Sequence, residues 1–206
     1  MSRKMRARED RHRPAFALPQ KLHWKPGTLL MPLPVVLVTT IDQDGKPNIV
    51  TVAWAGTVCS DPPMLSISLR PTRYSHPLLC RTGEFVVNIP STAQAYATDK
   101  CGVLSGRDVD KFAMMHLTPG PAKTVHPPII MECPVNLECR VRKTLELGSH
   151  TLFIAEVVAV QVSAHLVAKG GRLQIEKANL LAFAHGHYHA LGKHLGNFGF
   201  SVRKRK

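Results

Sequence analysis

Val35-Val36-Leu37-Val38-Thr39-Thr40-Ile41, Asp42-Gln43-Asp44-Gly45-Lys46-Pro47 and Asn48-Ile49-Val50-Thr51-Val52-Ala53-Trp54 follow one another without a break, and they decide the fold class. The first run is β-branched and continuously apolar, the second is turn chemistry, and the third returns to β-branched residues. Together they predict a β-hairpin. Beyond it Asp61-Pro62-Pro63 punctuates the chain, and Met64-Leu65-Ser66-Ile67-Ser68-Leu69 alternates apolar with small polar residues, which predicts a strand with one buried face.

The same grammar continues outward. Ser75 is expected to cap a short helix with Pro77 in its first turn and Gly83 at its end. Glu84-Phe85-Val86-Val87-Asn88-Ile89-Pro90 reads as a fourth strand and residues 91–98 as a further short helix. Proline and glycine dominate residues 119–128, marking a long irregular connection. The β-rich runs Val135 to Leu147 and His150 to Val162, joined at Gly148-Ser149, predict a long hairpin, and Leu180-Leu181-Ala182-Phe183 a last strand. Antiparallel strands with only short helical insertions argue for a mainly β barrel, not an alternating βαβ sheet.

The chain has 206 residues, 44% of them hydrophobic, enough to fill the core of one large domain. It holds no apolar run of about 18 residues, and its basic start lacks a hydrophobic signal core, so a soluble, cytoplasmic protein without a membrane span is expected. The formal charge of +13 suggests nucleic acid until it is mapped. Eight Lys or Arg between Arg3 and Lys25 face only Glu9 and Asp10, and Lys193, Arg203, Lys204, Arg205 and Lys206 face no acid. The middle of the chain is close to neutral. The expected organisation is a basic flexible tail over 1–26, a domain over 27–192 and a basic tail over 193–206. The five cysteines are odd in number and form no CxxC, which argues against a disulfide framework or a zinc knuckle and for buried thiols in a reducing compartment.

From Pro32 to Phe183 the sequence resembles the flavoredoxin branch of the flavin reductase-like family. The resemblance rests on Gly45-Lys46-Pro47-Asn48 leading to Ala53-Trp54-Ala55-Gly56, on Ser60-Asp61-Pro62-Pro63, on Arg73-Tyr74-Ser75 and on Glu84 to Pro90. Ser105-Gly106-Arg107-Asp108 with Lys111-Phe112, and Leu137-Glu138-Cys139 with Ser149-His150, complete it. It implies an FMN-binding split β-barrel of Greek-key type with short helical insertions, flavin contacts at Asn48, Trp54, Ser75, Lys111, His150 and Phe183, and a homodimer with its sites near the interface. It also implies that the flavin carries the reaction, taking hydride from NADH or NADPH, so that no catalytic residue of the protein is expected.

The residues themselves suit the parts of such a ligand. A phosphate needs cations and N–H or hydroxyl donors, for which Ser75 at a helix N-terminus, Arg73 and Lys111 are candidates. Ser66 and Ser68 fall on one strand face, where they meet either the ribityl chain and ring edge or solvent. Trp54 and Phe183 offer flat apolar surface, as core aromatics also do. Asn48 can donate and accept at a pyrimidine edge or serve as a turn residue after Pro47, and His150 is either beside the flavin or a hairpin-turn residue. Lys111 or His150 near the ring would stabilise a reduced, anionic flavin.

Other classes remain in view. Basic tails attract nucleic-acid backbones in a salt-dependent way, but aromatics do not interleave with the basic residues. His185-Gly186-His187-Tyr188-His189 has the residue type for metal, yet no carboxylate or Cys is near, so no metal site is expected and the segment is read as a loop. An FMN-binding electron carrier fed by a redox protein is indistinguishable from a reductase at this level, because the absence of GxGxxG excludes neither.

Overall fold

The computed structural model describes residues 18–202. The clusters Arg3 to Arg13 and Arg203 to Lys206, on which the expectation of basic tails rests, lie largely or wholly outside the described residues. In chain order the elements are β1 (Leu33–Pro34), β2 (Val36–Ile41), β3 (Pro47–Val52), β4 (Ala55–Ser60), β5 (Pro63–Leu69), α1 (Ser75–Thr82), β6 (Glu84–Ile89), α2 (Ala95–Val103) and α3 (Lys111–Met114). They continue with β7 (Pro119–Gly120), β8 (Ile129–Ile130), β9 (Val135–Leu147), β10 (His150–Val162), β11 (Leu181–Ala184) and β12 (His187–Ala190).

Seven strands form one antiparallel sheet in the order β3-β2-β6-β9-β10-β5-β4. Its two edges, β3 and β4, are consecutive in the chain and joined only by Ala53-Trp54. The β4–β5 ladder continues by one residue toward β3, where the Ser68 N–H donates to the Trp54 carbonyl at 2.9 Å. Among the described residues the outer edge of β3 has no strand partner, so the barrel is split. A small sheet, β1-β11-β12, stands beside it.

Period-two alternation fills the barrel. Val36 and Val38 of β2, Val50 and Val52 of β3, and Leu65, Ile67 and Leu69 of β5 point inward to meet Phe85, Phe153 and Leu79. Phe85 and Phe153 are buried completely, each worth about 2–3 kcal/mol of transfer free energy. The intervening Leu37 and Ile49 are buried too, because α2 and α3 cover the outer face of β2 and β3 with Ala97, Cys101 and Phe112. Burial on both faces explains why residues 35–41 read as a continuous apolar run instead of an alternating one.

Local corrections to the sequence reading are informative. Ser75 is the first residue of α1, not its cap: Tyr74 precedes the helix without a side-chain cap bond, and the Ser75 hydroxyl is buried and turned inward. Gly83 does end α1, in the left-handed conformation that favours glycine (φ 64°), with its N–H on the Leu79 carbonyl. The segment from His185 to His189 is not a loop. His185 and Gly186, both at positive φ, turn the chain so that β12 pairs with β11. Of the cysteines, Cys101, Cys133 and Cys139 are buried as expected, but Cys80 is exposed, and all five are free thiols.

Candidate functional site

Two neighbouring cavities open beside the unpaired edge of β3. The larger, about 500 Å³, is lined by Val50 to Trp54 along that edge, Ser68 and Arg70 at the end of β5, Arg73, Asp99 and Val103 on α2, His150, and Phe183 with Tyr188 from the small sheet. The smaller, about 160 Å³, is lined by Asn48, Arg73 to Ser75, Ser105 to Arg107 and Lys111. Val50, Arg73 and Val103 line both, so the two are compartments of one cleft.

The larger compartment is built from flat rings and backbone. Trp54 and His150 lie with their planes within 5° and their centroids 6.4 Å apart. Phe183 and Tyr188, direct cross-strand partners, pack edge to face at 5.4 Å. Beside them runs the β3 edge, whose outward N–H and C=O groups meet no further strand among the described residues. The Tyr188 hydroxyl donates to Asp99 Oδ1 at 3.2 Å and clips the small sheet to α2 across the compartment. Burial, together with the Asp99 carboxylate, pushes the Tyr188 phenol up to about 12.

The charges differ from the sequence expectation. His150 is held below its ordinary pKa by desolvation and by the positive charge of Arg70, which favours the neutral ring. The cations lining the larger compartment are Arg70 and Arg73, with Asp99 opposing them.

The smaller compartment is a polar cradle. Asn48 Nδ2 donates to Ser75 Oγ at 2.7 Å, both residues being buried. Gly106 closes against this pair so tightly that a Cβ there would overlap Asn48 Oδ1. Arg73 Nη1 donates to the Gly102 carbonyl at 3.0 Å, and the Arg107 guanidinium lies 5.2 Å from the Tyr74 ring centroid. Lys111 Nζ donates to the Ile49 and Cys101 carbonyls, each at 2.7 Å, tying α3 to β3 and α2. Desolvation, reinforced by Arg73, lowers the Lys111 ammonium to about 8, and Cys101 beside it stays a neutral thiol, pushed up to about 11 by burial.

Of the nine residues singled out in the sequence, Trp54, Ser68, Arg73, His150 and Phe183 line the larger compartment, and Asn48, Arg73, Ser75 and Lys111 the smaller. Ser66 lines neither. Lys111 lines only the smaller compartment, apart from Trp54, His150 and Phe183. Sequence reasoning missed Arg70, Asp99 and Tyr188. Tyr188 was detectable in principle as the cross-strand neighbour of Phe183, had the turn at His185-Gly186 been recognised.

Residues 28–192 match the family model described as the flavin reductase like domain. The chain belongs to the flavin reductase-like family. Flavoredoxin of Desulfovibrio vulgaris (Miyazaki F) has a similar solved structure, with a TM-score of 0.83 and 35% identity over 89% of this chain and 100% of that one. A flavin reductase (NADH) of Kitasatospora aureofaciens is 34% identical over 135 residues, 63% of this chain and 65% of that protein. A protein of Archaeoglobus fulgidus is 40% identical over 115 residues, 56% of this chain and 65% of its own length. This chain thus spans about two thirds of those two relatives. Family and split-barrel fold agree with the motif-based reading. Among the described residues no helix is long and apolar enough to cross a membrane.

Proposed function

We propose that this flavin reductase-like protein binds FMN across the two joined compartments and works as an oxidoreductase. The observation that carries this reading is the division of one cleft into an aromatic, edge-lined chamber and a smaller donor-rich cradle. An amphipathic ligand with a flat ring at one end and an anion at the other requires that division. When bound, FMN supplies the redox chemistry, receiving hydride from NADH or NADPH, or electrons from a redox protein, and delivering them to an acceptor.

The chain's own residues bind and orient. Arg73 and Arg107 supply charge for a phosphate in the cradle, and Ser75 opens α1 there with its backbone N–H free of intrahelical partners. Unpaired groups of β3 match the donors and acceptors of a pyrimidine edge, while Trp54, Phe183 and Tyr188 offer the ring flat apolar surface. No side chain is needed as a nucleophile. A homodimer remains part of the proposal.

Lys111 gives the reading a pH signature. A phosphate dianion beside the cradle favours the protonated ammonium, so FMN affinity is greatest below about 8 and falls as pH rises through that value. If binding raises the Lys111 pKa by about one unit, the loss between about pH 7 and about pH 9.5 is about tenfold. Riboflavin, which lacks the phosphate, should show no such decline. Equal pH profiles for the two flavins would remove Lys111 from phosphate binding.

The direct test is the visible spectrum of the purified full chain, identification of any released chromophore, and anaerobic titration with NADH and NADPH. Bound FMN bleached by either nucleotide supports the reductase. FMN that resists both favours an electron carrier, a reading to which the similarity with flavoredoxin lends weight. Protein that neither contains FMN nor takes it up would overturn both.

A further inference from the structure

The exposed face of α2 leads directly out of the larger compartment. Ala97, Thr98 and Cys101 are buried against the sheet, which leaves Tyr96, Asp99, Lys100 and Val103 along the opposite face at the i, i+3, i+4 and i+7 positions of one helical stripe. Asp99 and Val103 line the compartment itself. One turn beyond Asp99, Tyr96 presents its ring to solvent at 70% exposure, with Lys100 Nζ 5.7 Å from the ring centroid. From Val103 to Tyr96 the helix rises about 10 Å. A large exposed aromatic beside a cation, on the rim of a redox cleft, has no packing role in the barrel.

We propose that this stripe is the docking track for the adenylate half of a nicotinamide dinucleotide whose nicotinamide end enters the larger compartment. The inference rests on the reading that a nicotinamide nucleotide is the donor. The nicotinamide must reach the aromatic chamber, and the only part of such a donor left outside is a diphosphate followed by adenosine. Lys100 supplies the charge that a diphosphate leaving past Asp99 would meet, and Tyr96 a ring on which a purine stacks. Arg70 and Arg73 line the compartment itself, and Arg73 also donates to the Gly102 carbonyl, whereas Lys100 is the cation carried by the α2 stripe outside it.

The test compares two donors on the FMN-loaded full chain: the reduced dinucleotide and reduced nicotinamide mononucleotide, which has the same reacting ring and no adenylate. Tyr96→Ala should raise KM for the dinucleotide about tenfold, as loss of one base stack does, and leave KM for the mononucleotide unchanged. Tyr96→Phe should keep the dinucleotide KM within about twofold of wild type, since the stacking ring remains. Lys100→Gln should raise the dinucleotide KM and flatten its dependence on salt. Calorimetric titration with adenosine diphosphate gives a readout independent of turnover, and its binding should be lost in Tyr96→Ala. An unchanged dinucleotide KM in Tyr96→Ala overturns the inference, as does an equal rise for both donors, which would mark general damage to α2. Wild-type protein bleached by neither donor would defeat the donor reading first, and this inference with it.

Discussion

Gly106→Ala should weaken FMN binding about 100-fold while leaving the barrel folded. The added Cβ would overlap Asn48 Oδ1 and stand 2.9 Å from Tyr74 Cδ1. Both neighbours are side chains held by other contacts. Asn48 is buried and fastened to Ser75, and the Tyr74 ring is bracketed by Arg107. Overpacking of this kind costs about 1–3 kcal/mol, and loss of the Asn48–Ser75 hydrogen bond adds about 1 kcal/mol. Together these come to about 3 kcal/mol, or about 100-fold in Kd if the strain falls on the bound state. It should fall there, because Asn48 relieves the overlap only by turning into the cradle that the ligand fills. Gly102→Ala is the milder comparison, since its Cβ would lie 3.1 Å from Thr51 Cβ. Quenching of FMN fluorescence gives Kd, and circular dichroism melting checks the fold. An unchanged Kd in a folded Gly106→Ala protein would detach the smaller compartment from the cofactor.

The sequence disclosed those parts of the fold in which local preference and tertiary role agree. The hairpin Val135–Leu147 and His150–Val162 is legible to its boundaries because β-branched runs flank a Gly148-Ser149 turn, and the turn glycine does sit at φ 68°. β4 was not legible. Ala55-Gly56-Thr57-Val58-Cys59-Ser60 contains no buried residue, so no apolar alternation marks it, and its extended form is imposed by pairing with β5. β12 failed for the same reason: His187-Tyr188-His189-Ala190 is an edge strand without a buried residue, and its histidines drew attention to metal chemistry instead of to its turn.

The site divides along a similar line. Residues tied to local motifs, such as Arg73-Tyr74-Ser75 and the segment around Gly106, could be marked from the sequence through the family resemblance, and the structure adds the reason at Gly106, whose close approach to Asn48 leaves no room for a side chain. Residues that act by meeting across the fold could not. Asp99 and Tyr188 are 89 positions apart, and their hydrogen bond exists because the small sheet folds back over α2. Lys111 was marked, but its setting was not foreseen. A surface-looking cation two residues after Val109 becomes a buried ammonium spent largely on two carbonyls.

Glu138→Gln should cost the protein about 3–4 kcal/mol and flatten its acid denaturation. Glu138 lies near the start of β9, is fully buried, and organises the connection from Pro119 to Pro128. Its carboxylate accepts from the Lys123 N–H at 2.9 Å, the Thr124 N–H and hydroxyl, both at 2.7 Å, and Gln161 Nε2 at 3.0 Å. An amide keeps the shape but puts an NH2 where one acceptor stood: the Thr124 hydroxyl and the Gln161 amide can turn to accept from it, whereas the backbone N–H groups of Lys123 and Thr124 are fixed and cannot. Each buried donor left without a partner costs about 1–3 kcal/mol, against a total stability of about 5–15 kcal/mol for a domain. For a chain of this size the melting temperature should drop by about 10 °C. Burial alone would raise the Glu138 pKa, but hydrogen bonds from Lys123, Thr124 and Gln161 outweigh it and hold the carboxyl below its usual range. With the folded pKa depressed, its contribution is complete above the unfolded-state value of about 4.3 and is lost as pH falls through the folded value. Glu84, lowered despite burial by His126 and Arg140, shares this acid limb, so the difference between wild type and Glu138→Gln isolates the Glu138 part. Urea unfolding at neutral and acid pH makes the measurement. If the variant were as stable as wild type at neutral pH with the same acid slope, the buried carboxylate would not be what fastens residues 119–128 to the barrel.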